Sequence, residues 1–342
     1  ARDGQAAEQM KQKDLTTLLQ DYGGIEDVRD MAKAYNQVGD SVAAKANVVR
    51  KASTTKKFTD AFYEAWINIL LSNPVTHTKN IVGAFITTFA HVPETYAAAG
   101  VGAIRRARGG EGGVYLGQAN AQLFGAMLAM REAFGAAGKA FRTGENVMPG
   151  SKIEGVRGRR HASAFSAEGM QAQNFGTAID MLGHVMTLGR LPTRALEFED
   201  TFFKVVAHRM SIYEQAYSSG VSKGKRGDAL ASHIAEYVFD PPKNALTQAD
   251  AHAKYVTLQT DLDRVGKTMK GVRDIPGMRY FMPFLKTPYN AFKYAFIDRG
   301  PIGVFYGESK RAIERGKLPG ASSADKAAGD MAMARLIMGN AT

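Results

Sequence analysis

Apolar positions in this chain recur at helical rather than strand spacing. In "FTDAFYEAWINILLSNP", Phe58, Phe62, Trp66 and Ile69 fall three or four residues apart, the period of one helix face. Thr59 or Asp60 can cap that helix, and Ser72-Asn73-Pro74 ends it. The next stretch, "VTHTKNIVGAFITTFAHVPE", predicts a second helix from near Thr76 to His91. Pro93 marks the next boundary, and an Ala-rich third helix runs to Ile104. Upstream, Val28, Met31, Tyr35 and Val38 share one face of an amphipathic helix that breaks at Gly39. Downstream, "VYLGQANAQLFGAMLAMREAFGAAGKAFR" is helical and rich in Ala, Gly and Met.

Periodicity fades from Thr143 to about Gln173, where "RTGENVMPGSKIEGVRGRRHASAFSAEG" reads as a long basic loop. It returns in "LPTRALEFEDTFFKVVAHRMSIYEQAYSSG", which starts at Pro192-Thr193 and closes at Gly220. Phe202, Val206, Met210, Tyr213 and Tyr217 form its apolar stripe. A shorter helix is stopped by Pro241-Pro242, and the prolines of "DIPGMRYFMPFLKTPYNAFKYAFIDRGPIG" predict extended pieces and short helices wedged into a core. The last helix is capped by Ser322 or Ser323. Alternating β-branched runs are scarce. The expected fold is therefore mostly α, an elongated multi-helix assembly with long glycine-rich basic loops and no substantial sheet. Its expected sections are a polar helical segment (1–57), apolar helical hairpins (58–142), a basic glycine-rich linker (143–177) and a helical domain with a proline- and aromatic-rich section (178–342).

Composition narrows the function. The chain of 342 residues is 45% hydrophobic and 23% charged, which suits a packed core and not a polytopic membrane protein. It holds no cysteine, so disulfides, thiolate catalysis and Cys-based zinc sites are excluded. Both ends read as cuts through a longer pattern. The formal charge of +11 suits contact with polyanions or an anionic membrane face. Three basic clusters lie among glycines in expected loops: Arg105, Arg106 and Arg108; Arg157, Arg159 and Arg160; and Lys223, Lys225 and Arg226. Such loops hold phosphate backbones without reading sequence, and these nine residues are the candidate DNA contacts. Against them stands the simpler reading of solvated loops.

Catalytic and metal signatures are sparse. His77, His91, His161, His184, His208, His233 and His252 never form a close-spaced ligand set, and structural or surface roles are expected for them. Glu197, Glu199 and Asp200 cluster near the start of a helix, where they complement its dipole, and Asp200 with Lys204 is an i,i+4 pair. The glycine-rich "RARGGEGGVYLG" lacks the lysine and preceding strand of a phosphate loop and reads as a flexible connection. No catalytic residue, metal or cofactor is assigned. The uncharged run after Lys79 ends at Glu94, contains Asn80 and is cut by Pro93, so it falls short of the ~20 apolar residues of a membrane span. An interfacial membrane contact stays open.

Four segments in order, "LLSNPVTHTKNIVG", "RALEFEDTFFKVVAHRMSIYEQAY", "KYVTLQTDL" and "RYFMPFLKTPYNAFKYA", resemble internal virion proteins of short-tailed bacteriophages, the large ejection or core proteins. The resemblance implies a helical section of a far longer chain, oligomeric inside the capsid beside other core proteins and the portal. It implies ejection with the genome, non-specific contact with double-stranded DNA, and a conduit across the host envelope that can meet the host membrane. Trp66, Phe202 and Phe203 would then be helix-interface groups. Some such proteins carry a transglycosylase domain, but its Glu-Ser signature has no counterpart here. Two alternatives stand beside this reading: a peptidoglycan-degrading enzyme with an unrecognised site, and a membrane-inserting effector.

Overall fold

The computed structural model describes residues 63, 66–143, 191–273, 278–300, 302–305 and 307–340. The chain divides into two compact units, 1–66 with 156–189 and 67–155 with 190–342. The described residues belong almost wholly to the second unit, and every helix named below is part of it. The linker expected at 143–177 and the helices expected before Tyr63 lie outside the described residues.

Among the described residues every regular element is a helix. In chain order they are α1 (Pro74–Phe89), α2 (His91–Ala107), α3 (Leu116–Thr143), α4 (Leu191–Ser222), α5 (Gly227–Phe239), α6 (Lys243–Val256), α7 (Arg264–Arg273), α8 (Met278–Phe281) and α9 (Lys286–Phe292). A π turn (Lys293–Ile297) comes after α9, and then α10 (Ile302–Phe305), α11 (Glu308–Lys317) and α12 (Ser323–Asn340). The mostly α, multi-helix expectation holds.

Local chemistry sets several boundaries. Asn73 caps α1, its Oδ1 accepting from the Val75 N–H at 2.9 Å, and Pro74 occupies the first turn, where its missing donor costs nothing. Ser322 caps α12: its Oγ accepts from the Asp325 N–H at 3.1 Å and donates to the Asp325 carboxylate at 2.6 Å. Two expected boundaries move. Pro93 lies within the first turn of α2, and the break falls at Ala90. Gly220 does not end α4, which runs to Ser222; it is buried where a Cβ would strike Leu230 and His233.

The largest interface is the antiparallel seam between α3 and α4. Ala119, Ala126, Ala133 and Ala140 recur every seven residues along α3, with Gln122 and Ala129 between them, and all are buried. The predicted stripe on α4 fills this shallow groove. Val206 and Met210 are fully buried in a cluster with Ala126, Ala129 and Ala133, and Tyr213 packs over Gly125. Phe202 does sit at this interface, 4.9 Å from Phe134 between ring centroids, and Phe203 is buried beside it. Helices α1, α5 and α6 lie against other faces of α4, while α12 packs on α2 and α11.

Candidate functional site

The unit is built with an unusual polarity. On α1 the buried residues are Ala84, Thr87 and Thr88, whereas Val75, Ile81, Val82, Phe85 and Ile86 are exposed. On α3 the contrast is sharper: Ala133 is 0% exposed and Met127 is 72% exposed, and Leu123, Phe124, Leu128 and Phe134 also face outward. Small and polar side chains face in and large apolar ones face out, the reverse of a soluble helix.

Beneath this exterior lies a network of charged groups drawn from distant segments. Glu94 of α2, 2% exposed, is its centre. It accepts from Arg299 Nε at 2.7 Å and Nη2 at 2.5 Å, and from Arg335 Nε of α12 at 3.1 Å. His91, one turn earlier, has Nδ1 3.5 Å from Glu94 and Nε2 3.7 Å from Glu214 of α4. Gln122 of α3 donates to Glu214 at 2.8 Å and to Thr95 Oγ1 at 2.9 Å. The Arg299 guanidinium stacks on the Tyr294 ring at 3.3 Å and donates to Tyr255 Oη at 3.1 Å; Tyr255 in turn donates to Asp298 at 2.9 Å. Arg335 lies over the Tyr255 ring at 4.9 Å. The His252 ring of α6 lies against that of His91, with centroids 4.4 Å apart and the planes tilted by 48°.

Ionisation follows from this arrangement. Burial works to raise the Glu94 carboxyl, but His91, Arg335 and Arg299 override it and hold the group down at about 2. Glu214 is lowered in the same way, burial opposing and His91 and Gln122 prevailing. Burial works to lower His91; hydrogen bonding to Glu214 and Glu94 outweighs it, so the net direction is up. His252 goes the other way. Burial, the His91 charge and Arg335 all push it well below an ordinary histidine. Burial pushes the Tyr255 phenol up to about 12.

The candidate DNA contacts divide. Arg105 and Arg106 are in the last turn of α2, not in a loop. Arg105 pairs with fully buried Asp330 of α12. Arg106 donates to the Gly112 and Val114 carbonyls at 3.1 and 3.0 Å and stacks on Tyr115 at 4.6 Å. The "RARGGEGG" connection is therefore fastened rather than free: Asp330 also accepts from the Val114 N–H at 3.2 Å, and Gly113 supplies the left-handed φ of 90° that lets the backbone reach it. Arg108 is exposed just past the helix end. Lys223, Lys225 and Arg226 do form the predicted loop, between α4 and α5, with Lys223 and Arg226 exposed and Lys225 Nζ 3.3 Å from His233 Nδ1. Arg157, Arg159 and Arg160 lie outside the described residues.

The acidic cluster on α4 has a role other than dipole compensation. Glu199 meets His77 of α1 at 2.7 Å, and Asp200 pairs with Lys204 at 2.6 Å with both side chains buried. These carboxylates lie beyond the first turn of α4: Glu199 joins α4 to α1, and Asp200 with Lys204 is the expected i,i+4 pair within α4. Sequence reasoning treated His91 as incidental. The available signal was its place one turn before Glu94 in an otherwise uncharged helix start.

No group of His, Asp or Glu among the described residues is arranged to hold a metal ion. No helix among them is long and apolar enough to cross a membrane. No protein-family model, curated protein or solved structure matches this chain.

Proposed function

We propose that this chain is a structural section of a short-tailed-phage ejection protein, carried inside the capsid and released with the genome to help form an envelope-crossing conduit. The reading rests on the four-segment resemblance. The observation that supports it is the outward apolar face of α1 and α3. Exposed apolar surface of that kind marks a face that is covered in the working state. In an oligomeric conduit, neighbouring copies cover it. On this reading the residues act by packing and contact, and peptidoglycan cleavage by the purified chain would overturn it.

The test is the assembly state. The chain should sediment as an oligomer, and Ile86→Glu with Met127→Glu should shift it toward monomer with unchanged far-UV circular dichroism. A wild-type chain that stays monomeric at every accessible concentration sinks the reading. The inward placement of Ala and Gly on α3 favours one second reading, contact with the host membrane after ejection, because helices pack through small residues where their outer faces meet lipid. Vesicle flotation that survives high salt would select it over loose electrostatic attachment.

DNA contact is assigned to the α4–α5 loop, the basic cluster among the described residues that no buried carboxylate holds. Replacing Lys223, Lys225 and Arg226 by alanine should reduce the slope of log affinity against log salt by about 2–3, since each phosphate contact contributes ~0.9. An unchanged slope in a fluorescence-anisotropy titration removes this loop from the DNA path.

A further inference from the structure

We propose that the His91–His252 contact is an acid-sensitive latch, holding α6 against α2 and α12 while His252 is neutral and releasing it when His252 takes up a proton. The latch does not depend on the assembly proposed above.

The two imidazoles are in contact but differently provided for. Both His91 nitrogens face carboxylates, Glu94 and Glu214, so a proton on His91 is matched. Nε2 of His252 is sealed from solvent and has no hydrogen-bond partner. The ionisable groups facing His252 are His91 and Glu94 from α2, His208 from α4 and Arg335 from α12. Three of these are cations or become cations in acid, and the single carboxylate is already bound by two guanidiniums. On its own helix, Asp250 faces His208 at 3.6 Å and Tyr255 is engaged with Asp298 and the arginines. A second imidazolium in contact with the first therefore has no counter-charge within the closed structure. It gains one, or gains water, only if α6 moves away from α2.

The direction follows from linkage. A histidine whose folded value is depressed leaves stability intact above its unfolded value, about 6.5. Stability falls as pH drops below that, because the open form then binds the extra proton. The relevant window is about pH 6.5 down to about 4.5, above the range in which unfolded glutamates protonate. His91 has the opposite sign: its contribution is complete below about 6.5 and fades as pH rises through its folded value. His208 is also lowered, mainly by burial, so it adds to the acid effect and must be separated experimentally.

The experiment is hydrogen–deuterium exchange of α6 in the 342-residue chain across that window. The expected result is an opening constant rising by up to roughly tenfold per pH unit through the His252 proton. His252→Phe keeps a ring on His91 and should remove one proton from that dependence, whereas His208→Gln should leave the His252 proton in place. Imidazole proton NMR on the wild type gives a second readout that needs no stable variant. A His252 resonance titrating near 6.5 in the folded chain overturns the proposal, as does an unaltered pH profile in His252→Phe.

Discussion

Glu94→Gln is expected to cost about 3–5 kcal/mol, the range for breaking a buried ion pair from one side. The carboxylate is the shared acceptor of two guanidiniums and faces His91; Glu94 and His91 are buried and the two guanidiniums partly so. An amide of the same shape keeps one acceptor oxygen and cancels no charge. Arg299 and Arg335 would be left as neighbouring cations with one carboxylate fewer, and one of the two ion-pair ties from α2 to α12 would be lost, Arg105 with Asp330 remaining. For a unit of this size the penalty corresponds to a fall in melting temperature of about 10 °C. Thermal denaturation followed by far-UV circular dichroism checks it, and a fall under about 2 °C would show that the network is not holding the helices together. There is also a pH signature. Glu94 is held down at about 2, so its contribution is present above the unfolded value near 4.5 and is lost as pH falls toward 2. The acid limb of the wild-type stability curve between those values should flatten in the variant.

Much of the fold was legible because its signals are local. Asn73-Pro74 at a helix boundary, Pro241-Pro242 after a helix and Ser322 three residues before Asp325 each act through neighbouring backbone groups. The stripe on α4 was readable for the same reason, since spacing along one helix fixes which residues share a face. The charged network was not legible. Some members are close in the chain, as His91 is to Glu94 and Asp298 to Arg299, but Gln122, Glu214, His252, Arg299 and Arg335 come from five segments other than the one that holds Glu94. No spacing rule joins residues more than 200 positions apart. Arg105 shows the same limit: among glycines it looks like a free loop cation, and its partner Asp330 stands 225 residues later.

Polarity was the other illegible feature, for a different reason. Periodicity divides a helix into two faces but does not say which is buried. The usual assumption places Leu, Phe and Met inside, and on α3 the reverse holds. The sequence did carry a clue, the seven-residue recurrence of alanine from Ala119 to Ala140, which is the pattern of a close helix seam. Large residues on the opposite face could not occupy that seam once the aromatic stripe of α4 required a shallow groove.

That polarity leads to the second large effect, a reversed pattern of tolerance on α3. Gly125→Leu is expected to cost about 3 kcal/mol or more, at or beyond the upper end for overpacking a core. A Cβ at Gly125 would stand 2.9 Å from the Arg209 carbonyl oxygen and 2.9 Å from the Tyr213 ring. The ring can turn, but the carbonyl belongs to the backbone of α4 and cannot move without shifting that helix. Separating α3 from α4 would also pull Gln122 away from Glu214 and so reach the charged network. On the outward face, Leu128→Ser removes a large apolar side chain that is 55% exposed, and should change stability by less than about 0.5 kcal/mol. In an ordinary soluble helix the ranking is the opposite: losing the leucine is the severe change and gaining one at a small position the mild one. Urea denaturation of both variants decides between the two patterns. A Leu128→Ser penalty equal to or larger than that of Gly125→Leu would mean that the leucine face is internal in solution and that α3 packs the other way round.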